Sequence, residues 1–291
     1  MASCPIFSVD RAPGDFSASD SALAIQILEG GVLFLPRTPY TLNDGERRFL
    51  DPAISDGKAK NVNFDPLSER VGGTRLTDEP RQELARMMRR FSGWAESLLL
   101  AVIPSCAAGL TRGMTSLRPC EIERRRSSRR KDDTRLHVDA FRSRPVQGRR
   151  ILRVFVNVNP HGVPRVWEVG EPFENYAGRF RAQLRAPLPG SRWVLARLGA
   201  TKGRRSTYDH LMLQLHDLAK RDDAYQHNAP RTRIAFPSGT SWLVCTDATP
   251  HAAVSGQHAL EQTFFINADV ATLSPGVPLH VLERLGWRAL V

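Results

Sequence analysis

Cysteine is scarce in this sequence, and the few cysteines that it has are scattered. Four occur among 291 residues, and no two of them stand in C-x-x-C spacing: Cys4, Cys106, Cys120 and Cys245. A zinc ribbon needs closely spaced cysteines, and disulfide frameworks are typical of small secreted domains, so this pattern favours neither. We expect four reduced thiols in a cytoplasmic protein.

Long apolar runs are also absent. No stretch approaches the roughly 20 apolar residues that a helix needs to cross a bilayer. The first residues lack the basic and then apolar layout of a secretory signal. We therefore expect a cytoplasmic protein without a transmembrane segment.

Acidic residues are outnumbered by basic ones. The chain has 41 Lys and Arg against 30 Asp and Glu, a formal net charge of +11. Such a surplus favours anionic partners, among them nucleic acid, anionic lipid, and phosphorylated or carboxylated substrates.

The densest basic stretch is residues 124–131, which ends six residues before His137. It contains no aromatic residue, which weakens an interpretation as a single-stranded nucleic-acid site, where bases stack on rings. A solvated loop is one interpretation, and recognition of a substrate anion or a membrane surface is the other. For the second, the candidate substrate-binding residues are Arg125, Arg129 and Arg130.

A His-x-Asp pair lies between apolar residues in the middle of the chain. If residues 136–141 are extended, His137 and Asp139 lie on one face, roughly 6.5 to 7 Å apart. An imidazole and a carboxylate in that arrangement can occupy two adjacent positions of an octahedral metal ion. A second histidine would complete the 2-His-1-carboxylate face typical of non-haem Fe(II) oxygenases. The pair alone is weak evidence, because hydrogen-bonded core residues can show the same spacing.

The third ligand is expected from a strand near the C-terminus. His251 fits best, because it follows the apolar residues 240–245 and opens a further apolar stretch. His258 is the alternative, but it lies in a predicted turn, where its side chain would face water. The remaining histidines fall in a predicted helix, in loops or in segments without a strand pattern.

The order of predicted elements is helix, short strand, long helix, His-x-Asp strand, several strands, distal-histidine strand and a final strand. The clearest strand is residues 151–159, in which Arg153, Asn157 and Asn159 alternate with aliphatic residues. Polar residues facing inward are costly in a plain core, so they favour a barrel with a ligand cavity. Trp167, on a predicted strand over residues 165–169, is a further candidate for substrate binding.

This order and the three candidate ligands resemble the double-stranded β-helix of the Fe(II)/2-oxoglutarate dioxygenases. Residues 136–159, 165–170 and 250–256 also resemble one family of that group, the 3-deoxy-D-manno-oct-2-ulosonic acid (Kdo) 3-hydroxylases of lipopolysaccharide inner-core biosynthesis. The resemblance implies a β-rich α+β fold with N-terminal helices packed outside a jelly-roll core. We predict a single domain over residues 1–291, with a mostly helical support region (1–120), the core (121–270) and a C-terminal helix (271–291).

The resemblance implies a hydroxylase that uses Fe(II), 2-oxoglutarate and O2 and releases succinate and CO2. Its substrate would be the Kdo sugar of a Kdo-lipid A precursor, converted to Ko. His137, Asp139 and His251 would be the catalytic metal ligands. Related enzymes often place a cation on the final strand for the distal 2-oxoglutarate carboxylate, whereas this chain has Gln262 and Thr263 there.

The predicted 2-oxoglutarate site therefore combines four residues. Arg153 would replace the missing cation, since a carboxylate needs a charge-assisted partner. Neutral hydrogen bonds would come from Gln262, Thr263 and Asn157.

An arginine-rich protein suits an anionic glycolipid, and we expect peripheral contact with the inner face of the inner membrane. Three alternatives remain open from sequence. They are a 2-oxoglutarate oxygenase acting on alkylated nucleic acid, which we consider less favoured, a non-catalytic anion- or sugar-binding β-barrel, and a zinc hydrolase with the same ligands.

Overall fold

The computed structural model describes residues 2–16, 21–122, 128–190, 193, 196–267 and 274–291. Within them, the strands form two sheets of eight and three strands. Helices pack around the sheets, so the architecture is a mixed, sheet-rich α+β fold.

The large sheet has the strand order β1-β2-β9-β6-β11-β5-β3-β4. Its strands pair antiparallel except for β1 with β2, which run parallel. The bounds are β1 Ile6–Ser8, β2 Val32–Leu35, β3 Val62–Asp65, β4 Arg70–Gly72, β5 Leu110–Arg118, β6 Arg150–Asn157, β9 Ser241–Cys245 and β11 Ala259–Ile266.

The small sheet is antiparallel, with the strand order β10-β7-β8. The bounds are β7 Arg165–Val169, β8 Thr232–Phe236 and β10 His251–Ser255. The first residue of β10, His251, pairs with the last residue of β7, Val169. This pairing places the distal histidine at the edge where β7 ends.

Six α-helices and five short 3-10 helices lie in the described part of the chain. The α-helices are α1 Ser21–Leu28, α2 Asp78–Val102, α3 Phe173–Phe180, α4 Thr207–Arg221, α5 Asp223–Asn228 and α6 Pro278–Arg284. The 3-10 helices are Pro13–Asp15, Asp44–Leu50, Pro52–Ile54, Pro104–Gly109 and Arg181–Gln183.

The longest helix, α2, covers the face of the large sheet that is turned away from the small sheet. Its buried residues recur with helical spacing and include Leu84, Met88, Phe91 and Leu98. They form one apolar core with sheet residues such as Leu260. The long helix that the sequence predicted before the His-x-Asp pair is confirmed.

The predicted division into a helical region (1–120) and a sheet core (121–270) is wrong in one respect. Five of the eight strands of the large sheet precede residue 120, and β5 pairs directly with β11 at the centre. The sequence of β5 is rich in Thr, Arg, Gly and Ser, so its alternation of buried and half-buried residues gives no apolar signal. The predicted C-terminal helix is shorter than expected, Pro278–Arg284.

None of the helices in the described residues is long and apolar enough to cross a membrane.

Candidate metal centre and cavity

The sequence predicted a strand at the His-x-Asp segment. In the structure the segment instead links the two sheets. His137 makes an isolated antiparallel bridge with His251, and each backbone N–H donates to the other's carbonyl, at N···O distances of 3.1 and 2.9 Å. Two residues later, the N–H of Asp139 donates to the carbonyl of Thr246, just after β9. The segment is thus fixed to both sheets, and its two polar side chains lie on one face.

Three side chains converge at this crossing. One ligand atom each from His137, Asp139 and His251 lies within 4.8 Å of the others, a spacing that can hold a metal ion. His137 Nε2 is 3.9 Å from Asp139 Oδ1, and the two imidazole rings are 4.7 Å apart between centroids. His258, the alternative considered from sequence, is not part of this cluster.

Both histidines are oriented for metal binding through Nε2. Nδ1 of His137 is 2.7 Å from the carbonyl oxygen of Arg135, and Nδ1 of His251 is 2.8 Å from that of Thr249. A carbonyl only accepts, so Nδ1 carries the proton and Nε2 presents its lone pair. Burial lowers the pKa of both histidines, which keeps the rings neutral, as a metal ligand must be.

The carboxylate of the cluster is held in its charged form. Burial alone would raise the pKa of Asp139, but the positive charge of the Arg153 guanidinium, 2.8 Å away, holds it well below its usual range. Arg153 also donates to Glu261 at 2.5 Å. The guanidinium therefore bridges the metal cluster and the large sheet.

A cavity of about 350 Å³ opens next to these side chains, between the two sheets. Strands β5, β6 and β11 form one wall, and β7 and β10 form the other. The described lining residues are Lys60, Asn61, Met114, Ser116, Arg118, Asp133, His137, Asp139, Ala140, Phe141, Arg144, Arg153, Phe155, Arg165, Trp167, His251, Ala253, Glu261, Thr263 and Phe265.

The cavity is electropositive even with neutral histidines. Five lining side chains are cationic and three are acidic, which leaves a surplus of two positive charges. Three cations each pair with one of the three carboxylates: Arg118 with Glu261, Lys60 with Asp133 and Arg153 with Asp139. The surplus suits an anionic ligand.

Four of the five cations were not predicted as site residues, and only Arg153 was. Arg165 had the clearest sequence signal. It alternates with Trp167 and Val169 on β7, and all three are buried while the residues between them are half-buried. Lys60, Arg118 and Arg144 come from segments whose strands or loops were not recognised from sequence.

The predicted 2-oxoglutarate residues divide into two groups. Arg153 and Thr263 line the cavity, whereas Gln262 and Asn157 do not. Alternate residues of β11 point to opposite faces, so Gln262 lies in the core beside α2, where it accepts from Thr115 Oγ1 at 2.5 Å. The Asn157 amide donates to two carbonyls at the far end of β6. The structure thus places neither of these two residues in the lining of the cavity.

The predicted substrate-binding residues also separate. Trp167 lines the cavity and stacks on His251, with ring centroids 5.1 Å apart. Arg129 and Arg130 lie outside the cavity lining and pair with Asp223 and Asp217, at 3.2 and 3.4 Å. Arg125 lies outside the described residues.

A family model for 3-deoxy-D-manno-oct-2-ulosonic acid (Kdo) hydroxylase matches residues 14–289 of this chain. The chain belongs to the Kdo hydroxylase family. The resemblance stated from sequence is thus confirmed, and with it the class of enzyme. A search of curated proteins gives no match.

Solved structures of a Kdo hydroxylase, KdoO, described as a non-haem Fe(II) α-ketoglutarate-dependent dioxygenase, agree with the family match. The apo form is 42% identical, covers 98% of this chain and 97% of its own, and superposes with a TM-score of 0.93. The cobalt(II) complex gives the same values. The complex with α-ketoglutarate and Fe(III) covers 96% of this chain and 95% of its own at 42% identity, with a TM-score of 0.91.

Proposed function

We propose that this chain is an Fe(II)- and 2-oxoglutarate-dependent hydroxylase that converts the Kdo sugar of a Kdo-lipid A precursor to Ko. The observation that carries the proposal is the 2-His-1-carboxylate cluster, which faces a cationic cavity in a chain of the Kdo hydroxylase family. Membership of the Kdo hydroxylase family supports Kdo as the sugar that is oxidised. The positive charge of the cavity supports an anionic substrate.

The donor set fits iron. Two neutral imidazoles and one carboxylate leave three positions open in an octahedral site, the arrangement of non-haem Fe(II) oxygenases. We assign His137, Asp139 and His251 as the ligands. Bound iron with 2-oxoglutarate and O2 supplies the oxidising power for hydroxylation of a C–H bond, with release of succinate and CO2.

The charge of the cavity fits the co-substrate. 2-Oxoglutarate is a dianion, and we assign its distal carboxylate to Arg153, the cation in direct contact with Asp139. Thr263, on the neighbouring strand and also in the lining, can add a neutral hydrogen bond. Trp167 shields the His251 side of the cavity from water.

The carboxylate of Kdo requires a separate cationic contact. Lys60 and Arg144 are the lining cations that remain most exposed, each with 40% of its side chain accessible, so they mark the mouth of the cavity. Beside Lys60, the buried Oδ1 of Asn61 has no hydrogen-bond partner within the described structure and can accept from a sugar hydroxyl. We assign Lys60, Asn61 and Arg144 to the substrate.

For the fold, we propose a single dioxygenase domain with a double-stranded β-helix core. The support is that the two facing sheets enclose the cavity and that the metal cluster sits where they are bridged. For the cellular setting, we propose peripheral contact with the inner membrane. The net charge of +11 and the lipid-linked substrate support it.

The test is mass spectrometry of a Kdo-bearing lipid A precursor after incubation with the protein, Fe(II), 2-oxoglutarate and O2. We expect one oxygen atom added to the Kdo residue for each succinate formed, and no addition with the His251→Ala variant. If Kdo gains no oxygen while a methylated oligonucleotide is demethylated in parallel, the proposed substrate is wrong.

A further inference from the structure

The segment between α3 and α4 exposes several large apolar side chains. Leu188, Trp193 and Leu198 have 76%, 60% and 76% of their surface accessible. Only four other large apolar residues in the described parts of the chain are exposed, and they are scattered along the sequence: Ile25, Leu67, Val163 and Val291. Single exposed apolar residues are ordinary, but a concentration of them marks an interaction site.

All the charged residues of the same segment are basic. Residues 181–205 contain seven arginines and lysines and neither aspartate nor glutamate. The Arg197 guanidinium lies over the Trp193 ring, 5.3 Å from its centroid. Arginine beside exposed tryptophan and leucine is the composition of a surface that lies in the headgroup region of an anionic bilayer. An acidic protein partner would match the charge as well, and vesicle binding by the purified protein separates the two possibilities.

The C-terminal end of this segment is attached to the mouth of the cavity. The N–H of Lys202 donates to the Ser143 carbonyl at 2.7 Å, and the Gln147 amide donates to the Arg204 carbonyl at 3.1 Å. Residues 142–147 carry Arg144, which lines the mouth. The part of the segment that follows Leu198 is therefore attached next to the loop that carries Arg144.

We propose that Leu188, Trp193 and Leu198, with Arg185 and Arg197 beside them, form a surface that docks the protein on an anionic lipid bilayer. The three apolar side chains enter the headgroup region, and the guanidinium groups contact lipid phosphates. Docking presents the cavity mouth to sugars that project from the bilayer. This orientation rests on the proposed function, whereas docking itself does not.

The experiment is co-sedimentation of the Fe(II)-loaded protein with vesicles of phosphatidylglycerol and phosphatidylcholine in equal parts. We expect the wild type to sediment with these vesicles, to remain soluble with pure phosphatidylcholine and to be released by high salt. The Leu188→Ser/Trp193→Ser/Leu198→Ser variant should bind at least about tenfold more weakly, because apolar burial is lost. The control Ile25→Ser/Val163→Ser removes exposed apolar side chains elsewhere and should bind like the wild type.

Two further measurements separate the possible outcomes. On a water-soluble Kdo oligosaccharide, the triple variant should turn over at the wild-type rate, which shows that it is folded, while turnover of vesicle-borne substrate falls with binding. Equal vesicle binding by the triple variant and the wild type would overturn the docking surface. The docking surface would also be overturned if the wild type did not bind vesicles but formed a dimer that the triple substitution dissociates. If neither Kdo substrate is oxidised by the wild type, the proposed function fails, and sedimentation still decides the surface.

Discussion

His137 and His251 exchange both backbone hydrogen bonds across an isolated antiparallel bridge, although 114 positions (251 − 137) separate them in the chain. The bridge fixes the distance between the two imidazoles before any metal binds. Because Asp139 is tied to the large sheet two residues later, the three donors are set by backbone pairing rather than by loops. Three donors held in this way are preorganised to bind a metal ion.

The first prediction concerns the metal ligands. Replacing His137, Asp139 or His251 with Ala should abolish the visible charge-transfer band that forms when Fe(II) and 2-oxoglutarate are added anaerobically. Succinate formation should be lost as well. His258→Ala is the control, because His258 is an equally buried histidine outside the cluster. Loss of the band in His258→Ala, with the band retained in His251→Ala, would refute the ligand assignment.

The second prediction concerns the co-substrate. Arg153→Met should weaken 2-oxoglutarate binding by about 2 to 5 kcal/mol, the cost of leaving a buried charge without its partner. The 2-oxoglutarate concentration for half-maximal turnover should therefore rise by at least roughly 30-fold. Arg112→Met is the control, because Arg112, on β5, pairs with Glu96 of α2 and does not line the cavity. An unchanged 2-oxoglutarate requirement in Arg153→Met would reassign the anchor to another lining cation.

The third prediction is a pH dependence of stability due to Lys220. Its side chain on α4 is 2% exposed and lies 3.9 Å from Asp133, and burial lowers its pKa from 10.5 to about 8. Between these values the unfolded chain binds more protons than the folded one, so the unfolding free energy rises with pH. The penalty of the buried charge is fully present below about pH 8 and disappears above about pH 10.5.

Urea unfolding at several pH values measures this effect. In the wild type, Lys220 should make the unfolding free energy rise by up to about 1.4 kcal/mol per pH unit above pH 8, and Lys220→Met should abolish this rise. The exposed Lys58→Met should leave the profile as in the wild type. An identical slope in Lys220→Met and the wild type would mean that Lys220 does not titrate in this range.

The sequence predicted the metal cluster because that cluster depends on simple regularities. The period of two along an extended chain places His137 beside Asp139, and an apolar strand followed by a histidine marks His251. The side of a strand that faces the cavity is harder to predict. On β11 it is the face of Glu261 and Thr263, and a uniformly buried strand gives no sign of which face that is.

The cationic lining could not be read from sequence for a related reason. Lys60 lies in an irregular segment, and Arg118 ends a strand whose sequence looks like a loop. Their approach to the cavity depends on pairing between residues far apart in the chain, as in the contact of Arg118 with Glu261. Composition predicted an anionic ligand, but it pointed to the basic stretch 124–131. Arg129 and Arg130 in that stretch pair instead with acidic residues of α4 and α5.

The last prediction separates the cavity mouth from that basic stretch as the site of sugar recognition. Arg144 lines the cavity, and its only ion pair among the described residues is a distant one with Asp65, at 3.9 Å. Its guanidinium is therefore available to the carboxylate of an incoming sugar. Arg142 lies two positions earlier, is similarly exposed and pairs with Asp217 at 2.7 Å, outside the lining. The two arginines form a matched pair of the same charge and neighbourhood.

Arg144→Gln should raise the KM for a water-soluble Kdo oligosaccharide by roughly 10-fold or more, because a charge-assisted contact at a half-exposed site contributes about 1.5 to 3 kcal/mol. Uncoupled decay of 2-oxoglutarate without sugar should stay at the wild-type rate, since Arg144 is not assigned to the co-substrate. Arg142→Gln and Arg129→Gln should behave like the wild type in both assays. If Arg129→Gln raised the KM more than Arg144→Gln, the basic stretch 124–131 and not the cavity mouth would bind the sugar. The assignment of the metal ligands would not change.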